Sequence, residues 1–152
     1  MDTHPDKLDQ LFALQGELND RIFAKKDIRD NDGKVLTMEA LMAEAGSGAL
    51  GPNTKVNEWL GKYLTALEDE SRELREELLW KWWSKDHLDM QNIRVEIIDQ
   101  LHFWISLALT AGMDARTVFS LYMQKNAVNH QRQESGYSKA SKNEADNRCL
   151  AV

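Results

Sequence analysis

Apolar residues recur at three- and four-residue spacing along every long stretch of this chain, a period that turns them to one side only if the backbone is helical. Two prolines and eight glycines in 152 residues interrupt that pattern little, so the fold class is all-α. The spacing predicts a first helix from Pro5 or Lys7 to Ala24, with Leu8, Leu11, Phe12, Leu14, Leu18 and Ile22 on its apolar side. Residues 27–53 then break into turn signals, Asp30-Asn31-Asp32-Gly33 and Gly46-Ser47-Gly48, around a short helix at 37–45. A second long helix starts at Asn53 or Thr54 and runs to about Leu79, burying Trp59, Leu60, Leu64, Leu67, Leu74 and Leu78, with Trp80-Lys81-Trp82-Trp83 closing it. A third spans 89–111, where Gly112 offers a left-handed stop, and Asp114 caps a fourth that reaches Gln133. The expected organisation is one domain over 1–137 with an inserted loop at 27–53, then a polar, loose tail over 138–152.

Composition narrows the class of function. The lone Cys149 cannot form an internal bridge, no Cys/His framework for zinc exists, and no apolar run approaches a membrane span. With no signal segment visible after Met1, a soluble cytoplasmic protein is expected. A net charge of −6 argues against a nucleic-acid polymer as partner, because such binding neutralises phosphates with cations. A small anion held through a metal stays compatible with that charge.

The chemistry resides in two acidic motifs, Glu70-x-x-Glu73 and Glu96-x-x-Asp99, each inside a predicted helix. Four carboxylates from two helices repel one another unless a divalent cation lies between them, and an all-oxygen set suits Mg²⁺. At about 100° per residue, Ile93, Ile97, Ile98, Leu101, Ile105 and Leu109 form a broad apolar face, with Glu96, Asp99 and Phe103 together beside it. Taken singly, either pair also reads as ordinary solvated helix surface.

Further clusters carry two readings each. The rings of Trp80-Lys81-Trp82-Trp83 could wall a nucleobase pocket or pack a helix end. Lys125, Asn129 and Arg132 share a stripe that could grip phosphate oxygens or face water. Gln15 and Asn19, one turn apart, could read the polar edge of a base or lie exposed. Asp30-Asn31-Asp32-Gly33 is a turn rather than a calcium loop, since Ile28 falls where the first carboxylate is required. His102, beside the acidic face, reads as a packed or supporting residue rather than a ligand.

In chain order these clusters are Leu14-Gln15-x-x-Leu18-Asn19, Glu70-x-x-Glu73, Trp80-Lys81-Trp82-Trp83, Glu96-x-x-Asp99-x-x-His102-Phe103 and Lys125-Asn126-x-x-Asn129-x-x-Arg132-Gln133-x-x-Gly136-Tyr137. That order resembles the dimeric dUTPase family, within the MazG-like all-α nucleotide pyrophosphatases. The resemblance implies a four-helix-bundle core, a homodimer, and two or more Mg²⁺ ions held by Glu70, Glu73, Glu96 and Asp99. It further implies phosphate contacts from Lys125, Asn129 and Arg132, and from Lys142 and Asn147 in the tail. Nucleoside contacts would come from Gln15, Asn19, Trp83, Phe103 and Tyr137.

The activity so implied is Mg²⁺-dependent attack of water on dUTP, giving dUMP and pyrophosphate, and on dUDP, giving dUMP and phosphate. An amino group at cytosine C4 reverses the hydrogen-bond polarity that uracil offers there, so the first-helix amides would set base selectivity. The same metal core also suits a relaxed pyrophosphatase acting on dCTP or non-canonical nucleotides. From a different class, a non-catalytic helical interaction module with solvated acidic faces fits the periodicity alone.

Overall fold

The computed structural model describes residues 6–48, 50–136, 138 and 150, and among these the chain is all-α. Tyr137, Lys142 and Asn147 lie outside the described residues, so the roles expected of them have no structural account. Among the described residues five helices are present: α1 (Lys7–Lys25), α2 (Met38–Ala45), α3 (Lys55–Glu76), α4 (Met90–Thr110) and α5 (Ala115–Glu134). The chain forms two compact units, one running to Gly112 and the other, carrying α5, from Met113 onward.

Side chains set the helix starts. Asp6, Thr37, Thr54, Asp89 and Asp114 each accept a hydrogen bond from a first-turn backbone N–H, satisfying donors the helix itself leaves open. Gly112 adopts φ +80° just past α4, as its position in the sequence leads one to expect.

Residues 27–53 are more than an insertion. After the turn held by Asp30, whose carboxylate accepts from the N–H groups of Asp32 and Lys34, the segment buries Leu36, Met38 and Leu41. Asp20 on α1 accepts from the Met38 N–H at 2.6 Å, and Glu44 on α2 accepts from the Val56 N–H at 2.6 Å. Short α2 thereby ties the end of α1 to the start of α3.

In the first unit, α3 and α4 lie side by side, with the Ser71 hydroxyl oxygen 3.1 Å from the Gln100 side-chain amide. The core there is Phe12, Phe23, Leu36, Leu41, Val56, Tyr63, Ile93, Ile105, Ala108 and Leu109.

Two expectations are corrected. The buried side of α1 is Phe12, Gln15, Asn19 and Phe23, while Leu11, Leu14, Leu18 and Ile22 are exposed, Leu14 by 63%. Partners on α4 explain the inversion, since an amide with hydrogen-bond partners can be buried where a bare one cannot. Leu64 and Leu78 on the α3 side, and Ile97 and Ile98 on α4, are likewise exposed. Second, α3 ends at Glu76, before Trp80-Lys81-Trp82-Trp83, which forms part of the connection to α4. There the rings pack on one another, Trp83 meeting Trp80 and Trp82 edge to face at 6.1 and 5.5 Å between centroids. Bulky aromatics are only moderate helix formers, and ring contacts available outside the helix compete with its continuation.

Candidate active site

Helical spacing places Glu70 on the face of α3 turned to α4, and Glu96 and Asp99 on the answering face of α4. One carboxylate oxygen from each of the three lies within 4.8 Å of the others. All three are half-buried. Partial burial, followed by the charges of Glu73, Asp99 and Glu96, pushes Glu70 above the ordinary carboxylate range. Glu96 is raised by desolvation and by Glu73 and Asp99, against a lowering hydrogen bond from Asn92. Glu73 thus acts electrostatically on both residues while standing outside the tight triad, with the Arg72 guanidinium 3.8 Å from its Oε1.

These residues fit a divalent cation. The donors are all carboxylate oxygens, the hard set that Mg²⁺ prefers. In addition, among the described residues Glu96 Oε2 is buried without a hydrogen-bond partner, an acceptor that a cation would satisfy.

Beside the acids opens a cleft of about 550 Å³, lined by Gln15, Leu18, Asn19, Ile22 and Phe23 of α1, Trp59, Tyr63 and Glu70 of α3, and Asp99, His102 and Phe103 of α4. Two of the four expected carboxylates, both first-helix amides and Phe103 therefore meet in one cavity. Trp83, 61% exposed in the α3–α4 connection, is not among its lining residues. Lys125, Asn129 and Arg132 lie on α5 in the second unit, Lys125 and Arg132 half-buried and Asn129 exposed.

Three aromatic contributors escaped the sequence reading: Phe23, Trp59 and Tyr63. Phe23 meets Trp59 edge to face at 4.7 Å, and Trp59 meets Tyr63 at 5.4 Å. Among the described residues the Trp59 indole N–H is buried with no hydrogen-bond partner. Burial and the nearby charge of Asp20 raise the Tyr63 phenol well above its ordinary range, so it stays protonated. A signal for both existed, because positions 59, 63 and 70 fall on one helical stripe ending at the first acidic motif.

Comparison with known proteins agrees with this geometry. At 34% identity the chain resembles a dCTP pyrophosphatase of Enterobacteria phage LZ5, over 52% of its own length and 60% of that protein's. At 28% identity it resembles a dCTP pyrophosphatase of Enterobacteria phage T4, over 88% of its own length and 68% of the relative's. A DNA replication protein of phage T4 matches at 26% identity over 81% of this chain, which spans only 27% of that protein. No solved structure matches significantly. A family model described as dUTPase matches residues 7–118, a stretch that takes in the whole acidic cluster and every lining residue of the cleft, and the chain therefore belongs to the dUTPase family.

Proposed function

We propose that this chain is a Mg²⁺-dependent pyrophosphohydrolase of deoxypyrimidine nucleoside triphosphates, releasing the monophosphate and pyrophosphate from dUTP or dCTP, and phosphate from dUDP. One observation carries the reading: the cavity that holds Glu70 and Asp99 also holds buried amides and aromatic rings. An acid cluster alone is common surface, and an aromatic pocket alone is common core. Their meeting in one cleft large enough for a nucleoside supports a substrate with a metal-bound phosphate chain at one end and a planar base at the other. The family description supports dUTP, and the phage relatives support dCTP.

Glu70, Glu96 and Asp99, with Glu73 as the fourth carboxylate, would hold the metal. Bound Mg²⁺ supplies charge neutralisation for the triphosphate and lowers the pKa of a water. The chain's own groups do the rest. A carboxylate oxygen of the cluster accepts the proton of the attacking water as the bond between the α-phosphorus and the bridging oxygen breaks and pyrophosphate leaves. Phe23, Trp59 and Phe103 exclude water from the base, and Gln15 and Asn19 orient it. Lys125, Asn129 and Arg132 of α5 are proposed to hold phosphate oxygens.

A homodimer is part of the same proposal, supported by apolar surface left on α1 and α4, as is a cytoplasmic workplace where nucleotide pools turn over. Among the described residues no helix is long and apolar enough to cross a membrane. The test is product analysis after incubation with dUTP, dCTP and dUDP, with and without Mg²⁺. Metal-dependent appearance of the monophosphate with pyrophosphate from either triphosphate is the expected result, and its absence from both defeats the reading.

A further inference from the structure

Behind the cleft, Ser106 and His102 of α4 join Gln15 and Asn19 of α1 in one hydrogen-bonded chain whose polarity is fixed at its root. Ser106 is wholly buried, and its hydroxyl donates its single proton to the His102 backbone carbonyl at 2.9 Å, a group that can only accept. Its oxygen therefore meets the α1 amides as an acceptor. Asn19 Nδ2 donates to it at 3.0 Å and Gln15 Nε2 at 3.2 Å. The remaining amide protons are engaged as well, Gln15 Nε2 donating to Asn19 Oδ1 at 3.0 Å and Asn19 Nδ2 to Met38 Sδ at 3.6 Å. With its nitrogen turned to Ser106, Gln15 leaves Oε1 facing His102 Nδ1 at 2.6 Å, so that ring nitrogen carries the proton it donates.

We infer that Ser106 and His102 are positioning residues for base selectivity: with every amide proton of Gln15 and Asn19 engaged inward, the hydrogen-bonding capacity these two residues retain for the cleft they line is the second lone pair of each carbonyl oxygen, which selects the exocyclic amino group of cytosine. That N4 group carries two protons, one for each acceptor. Uracil places O4 there, whose lone pairs would oppose the amide oxygens, and its one N3–H can serve only one of them.

The inference rests on the cleft being a nucleotide site, so its test reads binding as well as turnover. The measurements are kcat/KM for dCTP and dUTP with Mg²⁺, and calorimetric binding of dCMP and dUMP without metal. Unsubstituted protein is expected to favour cytosine by about ten- to a hundredfold in both, the range that one mispaired polar group produces. Ser106→Ala frees both amides to rotate and should bring the ratio to within about threefold, while Ser106→Thr, which keeps the hydroxyl, should preserve it. His102→Phe, at a position open enough to spare the fold, removes the proton that holds Gln15 Oε1 and should lower the ratio as well. A general structural defect would weaken both bases alike and leave the ratio alone.

Turnover of both triphosphates without cytosine preference, or a preference unmoved in both Ser106→Ala and His102→Phe, overturns the inference and leaves the enzymatic proposal standing. Selective dCMP binding without any hydrolysis does the reverse. Neither binding nor hydrolysis overturns both.

Discussion

Glu96 is where the chain concentrates its unmet electrostatic demand. One of its oxygens is buried without a partner among the described residues, and the carboxylate is raised above its ordinary value of 4.5, as is that of Glu70. A carboxyl whose folded pKa exceeds its unfolded one binds protons better in the native state. Its stabilising contribution is complete below the ordinary value and is lost as pH rises through the raised one. Metal-free protein should therefore gain stability from this pair on mild acidification from neutral pH. Glu58 and Asp114, both lowered, run the other way, so the comparison must be between variants. Glu96→Gln should raise the metal-free Tm at pH 7, narrow the gain on acidification, and abolish the Tm increase produced by Mg²⁺. A Glu96→Gln protein that melts and responds to Mg²⁺ like the parent would remove this residue from the metal set. Asp99→Asn, by the same argument, should lose metal-dependent hydrolysis while its circular dichroism stays that of a folded helical protein.

Among the elements, the boundaries written in capping chemistry were legible and those written in packing were not. Thr37, Thr54, Asp89 and Asp114 announce their helices because a short polar side chain before an apolar repeat has one good use, and each start falls within a residue or two of its reading. The end of α3 carries no glycine or proline, and the tryptophans that compete with the helix look in sequence like its last turn. The face of α1 was misread for a related reason: leucine spacing shows which residues could be buried, whereas the burial of Gln15 and Asn19 depends on Ser106 and His102, about ninety positions away. The acidic cluster was readable because its motifs are local to two helices; the stripe that aligns Trp59 and Tyr63 with Glu70 was readable too, but their place in the pocket was not, because nothing local separates a pocket ring from a core ring. Gly112 offers a test at this scale. At φ +80° a built Cβ would come within 3.1 Å of the Ala45 Cβ, so Gly112→Ala combines left-handed strain with a collision against α2. Its cost should be about 1–2 kcal/mol in denaturant unfolding, with activity per folded molecule retained. An unchanged midpoint would show that α2 gives way at no cost.

At the scale of the molecule, the apolar surface exposed among the described residues of the first unit supports the proposal of a second copy of the chain. Leu11, Leu14 and Leu18 of α1 and Ile98, Leu101 and Ile105 of α4 line a groove of about 350 Å³, and Ile22, Ile97 and Trp104 are exposed on the same two helices. A monomer seldom shows water so much contiguous apolar surface. The groove also shares a wall with the cleft, for Gln15, Leu18 and His102 line both. Covering it would therefore press on the residues that set the base pocket. Leu14 lines the groove and not the cleft, and it is 63% exposed, so Leu14→Glu should leave the fold of one copy intact. Sedimentation at micromolar concentration is expected to show a dimer for the parent and a monomer for Leu14→Glu, because an interfacial glutamate would be buried without a partner. The monomeric variant should then bind nucleotide about tenfold more weakly, an estimate equal to one lost or misplaced hydrogen bond at Gln15 or His102. Dissociation with undiminished affinity would show that the cleft is complete within one chain. A parent protein that sediments as a monomer would leave the leucine face without the partner proposed for it.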